Sequence, residues 1–223
     1  VLTASIRKSG TSRFAAASRL FVAVGLGGVR AEYGIIPIMK KSFWLIAPFA
    51  AWMVLMTVLP ATVGGYAVRT AVVAALLVAA WLYGPRSRSC TSGLETASTF
   101  FGLAVGLAVF VLWILPEQFD WAWYRKWCIV GEGGTKAVAE ASAAMIAVRL
   151  VGSAFVISVA EELFFRKWLI GFAGFWWMVG LFAIEHDRWL VAALCGMIYG
   201  GLYLRKGLLS AIVAHATTNL VLG

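Results

Sequence analysis

The sequence predicts an all-α, polytopic transmembrane bundle of about seven helices, and three observations predict it. Of 223 residues, 62% are hydrophobic and only 13% charged, a mixture that a water-soluble domain of this size could not keep dispersed. The apolar residues fall into long runs bounded by Pro, Gly or charge, and roughly 20 such residues span a hydrocarbon layer about 30 Å thick at about 1.5 Å per residue. Alternating strand patterning is absent, and in lipid each backbone amide must be bonded within its own segment, which leaves helix.

The runs extend over approximately 43–60, 65–83, 99–116, 141–170, 174–187, 189–204 and 207–222. No internal repeat or low-complexity linker divides them, so residues 39–223 read as a single transmembrane domain whose first three helices are scaffold. Residues 1–38 differ, with scattered arginines and only a weak apolar stretch from Phe14 to Gly28, whereas Met39-Lys40-Lys41-Ser42 before an apolar run reads as an ordinary start. Two readings of that segment stand: an extension that is not native, or a basic leader lying on the membrane surface.

The formal charge of +9 is topological, because the Lys and Arg residues sit between or at the ends of apolar runs rather than on one basic face. No nucleic-acid partner is expected; the partners are the lipid bilayer and a membrane-associated peptide or protein, and no oligomeric state is assigned. Alternate crossing puts Lys40, Lys41, Arg86, Arg88, Arg166, Lys167, Arg205 and Lys206 on one side, which the positive-inside rule makes cytoplasmic. The expected location is a bacterial cytoplasmic membrane. Between Glu117 and Glu140, the residues Trp121, Trp123, Tyr124 and Trp127 suit an interfacial belt or a short amphipathic helix. Gly196 and Gly200 form a small-xxx-small pair for close helix packing. Cys90, Cys128 and Cys195 have no metal-ligand spacing, and the first two fall on opposite sides, so no structural disulfide is expected.

Against this apolar background, a few polar residues need an explanation. Glu161 and Glu162 lie near the middle of the run from Ala141 to Ile170, where an ionisable group costs on the order of 3 kcal/mol. Successive helical residues diverge by about 100°, so at most one carboxylate faces a given cavity. Arg166 follows Glu162 by one turn, and the two are expected to form a buried ion pair, leaving Glu161 without a local partner. The run from Gly174 ends in Phe182-Ala-Ile-Glu-His186, and the last run carries His215-Ala-Thr-Thr-Asn219, a spacing that stacks both polar groups on one face. With turns at Gly171–Gly174 and Arg205–Gly207, Glu161 lies roughly 15–17 Å, His186 roughly 18–20 Å and His215 roughly 13–15 Å from the basic side, nearly one depth.

A carboxylate that accepts a proton from water, an imidazole that shares it and donors for an oxyanion are the parts of peptide-bond hydrolysis. Ser153, Ser158 and Ser210 lack the glycine-flanked elbow that presents a nucleophile, and Cys195 has no activating partner in sequence. Two histidines and a carboxylate are also an adequate zinc set. A non-catalytic membrane scaffold or chaperone that keeps the cluster as interhelical glue is the second class of reading, and a proton or ion transporter the third, without inverted repeats to support it.

Glu161-Glu162-x-x-x-Arg166, Phe182-x-x-x-His186 and His215-x-x-x-Asn219, in this order on successive apolar helices, resemble the CAAX-protease and bacteriocin-processing (CPBP/Abi) family of intramembrane proteases, over about residues 141–223. The resemblance implies a glutamic-type endopeptidase that needs no metal, with zinc as the alternative, and a bundle whose cavity opens to the cytoplasm or the membrane. It implies that Glu161 with His186 activates water, that His215 and Asn219 stabilise the oxyanion, and that Glu162 and Arg166 support them. Its substrate would be a membrane-proximal peptide: a CAAX-type C-terminus, a leader or a sorting tail. Two departures from the family pattern stand out, a short turn between the glutamates and His186, and the charges Glu185, Asp187 and Arg188 around that histidine. Arg149, within the fourth run, reads as bundle-internal or snorkelling, or as a partner for a substrate carboxylate.

Overall fold

The structure, a computed structural model, describes residues 35–84, 92–119, 121–130 and 143–223. The chain divides into two units, 1–39 and 40–223. The expectation for residues 1–38 lies almost wholly outside the described residues, as do Cys90 and residues 131–140 of the loop before the fourth run.

Among the described residues the fold is all-α, with eight helices and no strand. They are α1 (Ile35–Val58), α2 (Val63–Tyr83), α3 (Ser92–Gln118), the short α4 (Ala122–Cys128), α5 (Ala143–Ala173), α6 (Phe175–Ile184), α7 (Trp189–Lys206) and α8 (Leu208–Leu222). Seven of them match the seven apolar runs; the eighth, α4, is the short helix expected around the tryptophans. Val63–Tyr83, Ser98–Gln118 and Ala143–Ala173 are long and apolar enough to cross a membrane. Helix α6 is not: its 10 residues cover about 15 Å, half of a hydrocarbon layer. The crossing expected over 174–187 is therefore not made by helix alone, and the chain turns at Glu185–Arg188.

The turns follow glycine chemistry. Gly174 (φ 94°) separates α5 from α6 and Gly207 (φ 92°) separates α7 from α8, both in a region that side chains disfavour. Helix contact also depends on missing side chains. A Cβ at Gly106 would lie 2.4 Å from the Ala214 carbonyl oxygen, and one at Gly102 2.8 Å from that of Ser210, so α3 and α8 touch backbone to backbone. The Gly196–Gly200 pair on α7 packs under α6: a Cβ at Gly200 would meet Met178 and Phe175 at 2.6 and 2.8 Å, and one at Gly196 would meet Phe182 at 3.3 Å.

Helix α5 is one continuous rod but not one continuous α-helix. Residues Gly152–Ile157 and Glu162–Leu169 are π-wound, flanking the α-helical turn that carries Glu161. Such widened turns shift the angular position of the residues that follow and leave carbonyls open to other donors.

Short α4 braces the turn after α6. The indole Nε1 of Trp189 donates to the Trp127 carbonyl (3.0 Å), the Val130 amide donates to the Asp187 carbonyl (2.7 Å), and Arg188 pairs with Glu117 (2.5 Å). Tyr124 is buried in this contact, and desolvation pushes its phenol up to about 12, so it remains a neutral packing group. Cys128 and Cys195 are free, buried thiols.

Gly106→Ala is expected to destabilise the protein by about 1–3 kcal/mol, the usual cost of overpacking, whereas Gly180→Ala, with nothing within 4 Å of its added Cβ, should not. Thermal unfolding of both variants in one detergent checks this; equal melting temperatures would contradict the close α3–α8 approach.

Candidate active site

Helix α5 delivers both glutamates, and the bundle treats them differently. Glu162 is 0% and Glu161 5% exposed. The Glu162 Oε1 lies 3.1 Å from Arg166 Nη1, one turn along, as the four-residue spacing predicts. Arg166 is itself fully buried, with its guanidinium 4.3 Å from the Phe182 ring centre and 5.5 Å from that of Tyr199. Aromatic faces from α6 and α7 thus take part in neutralising a cation that water does not reach.

The same Glu162 oxygen lies 2.9 Å from His215 Nδ1 on α8. Because an ionised carboxylate only accepts, Nδ1 carries the proton and donates it. The opposite ring nitrogen, Nε2, stands 3.7 Å from Glu161 Oε2. Adjacent glutamates were expected to face different directions, and they do; one imidazole still meets both, because its two nitrogens point opposite ways. The ring is held flat by stacking on Tyr199, with centres 5.0 Å apart and planes 20° from parallel. Tyr199 Oη in turn donates to Thr218 Oγ1 (2.7 Å), which lies 2.9 Å from the Gly106 carbonyl and 3.0 Å from that of Ala214. A hydroxyl has one proton, so the two carbonyls share it.

Asn219, one turn beyond His215, donates Nδ2 to the Ser153 carbonyl (3.0 Å), inside the first π-wound stretch of α5. That carbonyl already accepts the Ser158 amide five residues on, so the π turn exposes the lone pair that seats Asn219. A primary amide has two N–H bonds, so one remains for another acceptor.

His186 makes no hydrogen bond or ion pair with these groups; the Phe182 ring lies between it and His215, 4.6 Å from the first and 6.0 Å from the second. His186 is half-buried in the turn after α6, and its Nδ1 donates to the Phe182 carbonyl (2.8 Å), leaving Nε2 unprotonated in the neutral ring. Its ring packs 4.6 Å from Phe182 and 5.9 Å from Trp113. Of the two histidines, His215 and not His186 makes the close approach to the glutamates among the described residues. Of the charges around His186, Arg188 pairs with Glu117, and the Asp187 backbone carbonyl accepts the Val130 amide.

A cavity of about 340 Å³ reaches this cluster. Glu161, Asn219 and Ser153 line it together with Arg149, Trp52 and Tyr66, bringing α1 and α2 to the site. A larger groove of about 660 Å³, mostly apolar, lies between α3, α6 and α7 and contains none of the clustered polar residues. Among the described residues no three His, Cys, Asp or Glu side chains converge on a point that could hold a metal ion.

Residues 143–221, from the start of α5 almost to the end of α8, match the family model described as type II CAAX prenyl endopeptidase Rce1-like. This stretch is Rce1-like. The match falls on the segment whose three motifs carried the resemblance, and with the apolar helices it makes the chain an integral membrane protein. No curated protein and no solved structure matches the chain.

Sequence reasoning reached Glu161, Glu162, Arg166 and His215 but missed the aromatic and hydroxyl supports of the cluster. Tyr199 and Thr218 carry no charge to mark them in an apolar run. Thr218 does lie three residues after His215, on the same helical face, which is the signal that could have found it. Trp52 and Tyr66, which line the cavity, and Arg69, whose guanidinium carbon lies 5.4 and 5.2 Å from their ring centres, lie outside the family match, on helices read as scaffold.

Arg166→Met should destabilise the protein by about 3–5 kcal/mol, because it strands a buried carboxylate, and Arg166→Met with Glu162→Gln should recover part of that loss. A double-mutant cycle on thermal unfolding reads the coupling; additive effects would contradict a buried pair.

Proposed function

We propose that the chain is an intramembrane endopeptidase of the CAAX-protease type that hydrolyses a peptide bond with water activated by Glu161. The observation that carries this reading is the placement of Glu161 on the wall of a cavity with His215 directly behind it and the Asn219 amide beside it.

In the proposed reaction, Glu161 accepts a proton from water as the water oxygen attacks the scissile carbonyl carbon. The neutral Nε2 of His215, oriented by the Glu162 contact at Nδ1, receives or shares that proton. Asn219 offers its second N–H to the oxyanion. When the carbon–nitrogen bond breaks, the proton returns to the leaving amine, which balances the reaction. His186, with Nε2 free to accept, is retained as a participant in activating the water. Glu162 and Arg166 position His215 rather than touch the substrate.

The substrate proposed is a membrane-proximal peptide, either a CAAX-type C-terminus, a leader or a sorting tail. The protein is proposed to lie in a bacterial cytoplasmic membrane with its basic loops toward the cytoplasm. No metal is proposed as cofactor.

Glu161→Gln should lower cleavage by about 10²–10⁴-fold while leaving the melting temperature close to that of the wild type, since it removes the base and keeps the shape. The peptide that accumulates uncut in cells carrying Glu161→Gln, identified by mass spectrometry, supplies the substrate for the assay. A chelator should leave the rate unchanged; activity lost to a chelator and restored by zinc would turn the reading to a zinc protease. If Glu161→Gln unfolds the protein and no peptide ever accumulates, the cluster is interhelical glue and the scaffold reading replaces this one.

A further inference from the structure

The groove of about 660 Å³ between α3, α6 and α7 takes no part in peptide hydrolysis as described. Its walls are apolar along most of their length, with Phe101 and Val105 from α3 and Met197, Gly201 and Leu202 from α7. One end is different. There Arg205 and Lys206, from the last turn of α7, line the groove, and among the described residues no acid does. The Lys206 ammonium lies 5.7 Å from the ring centre of Phe101, so it reaches from α7 to α3 across that end. Gly201 leaves space in the wall, because a Cβ added there would meet nothing within 4 Å.

Met197 and Lys206 are nine residues apart on α7, which is roughly 13–14 Å at about 1.5 Å per residue. Half of a hydrocarbon layer about 30 Å thick is about 15 Å, the depth of one leaflet. The groove therefore has the length of one leaflet, and its cations stand where that leaflet's headgroups stand. Cations in the last turn of a helix also complement its dipole, but the dipole asks nothing of an apolar channel beside them. Water in such a channel would find few polar partners, so the space calls for hydrocarbon. A neutral lipid would satisfy the walls and leave the two cations without a counter-charge. A hydrocarbon chain with an anion at its head satisfies both.

We infer that this groove is a binding site for one anionic phospholipid, with an acyl chain between α3 and α7 and its phosphate held by Arg205 and Lys206. Arg205 offers a planar fork of donors to the phosphate oxygens, and Lys206 a compact charge on a flexible stem. Basic pockets between transmembrane helices hold anionic headgroups by the same chemistry. The missing side chain of Gly201 gives the acyl chain its room. The site is independent of the peptidase reading, although α7 joins the two: Tyr199, on the same helix, stacks on His215. A lipid seated in the groove thus packs against the helix that holds that imidazole flat.

The test reads bound lipid. The protein is equilibrated in nanodiscs of equal parts phosphatidylcholine and phosphatidylglycerol, then released into mild detergent for native mass spectrometry. Phosphatidylglycerol should be retained about 5–30-fold over phosphatidylcholine, the range for one to two cations near a membrane surface. Arg205→Gln with Lys206→Gln should abolish that preference, and Arg205→Lys with Lys206→Arg should keep it. Gly201→Leu, which fills the groove, should lose the retained lipid, whereas Gly201→Ala should not. Arg205 and Lys206 are exposed, so their variants are expected to fold and carry the test even if Gly201→Leu does not. Equal retention of the two phospholipids would overturn the site. A phosphatidylglycerol preference that survives in folded Gly201→Leu would also overturn it, as a general attraction of basic loops to an anionic surface. So would displacement of phosphatidylglycerol by the neutral N-acetyl-S-farnesylcysteine methyl ester, which would give the groove to the lipid tail of a substrate. Cleavage is not measured, so failure of the peptidase reading leaves the lipid comparison standing.

Discussion

The buried carboxylate of Glu162 is the constraint on which the site depends. One of its oxygens faces both Arg166 at 3.1 Å and His215 at 2.9 Å, and all three residues are nearly or wholly removed from solvent. In apolar surroundings a charge left alone costs several kcal/mol, so a bundle that loses this contact loses its reason to hold α5 against α8 in that register. The reach extends further through Arg166, whose guanidinium lies over Phe182 of α6 and Tyr199 of α7. One anion thereby ties four helices, and the close glycine contacts of α3 with α8 fix the depth at which they meet.

The division between two neighbouring glutamates follows from that constraint. Glu162 is consumed by structure and is fully buried, whereas Glu161 faces the cavity with the Nε2 of His215 3.7 Å from its carboxylate. The π-wound stretches on either side of Glu161 serve the same arrangement. The first opens the Ser153 carbonyl to Asn219, and the second begins at Glu162 itself. Widened turns of this kind weaken regular helix and persist where side chains from neighbouring elements hold them, which here are Asn219 and His215.

Much of this was legible in the residues because lipid makes polarity expensive. Seven apolar runs matched helices, and the glycines that end α5 and α7 marked their turns. The pairing of Glu162 with Arg166 followed from a four-residue spacing alone, since a helix fixes it without help from the fold. The meeting of His215 with both carboxylates did not follow, because it depends on how far α8 rises against α5 and on which way the ring turns. The length of α6 was overread by three residues: Glu185, His186 and Asp187 continue the run in sequence, but contacts from α4 and Glu117 hold the turn there. Arg69 was invisible for a different reason, as a lone arginine in an apolar helix gives no sign of the aromatic rings that flank it.

Because the chain has two histidines, their environments can be separated in a bilayer. Solid-state NMR on ¹⁵N-histidine, ¹³C-glutamate protein, measuring imidazole nitrogen to carboxyl carbon distances, tests the central contact. The account predicts that one imidazole, lost in His215→Ala, is protonated at Nδ1 and strongly dephased by a carboxyl carbon that disappears in Glu162→Gln. If neither imidazole senses a glutamate carboxyl, the buried network does not exist and the site built on it falls.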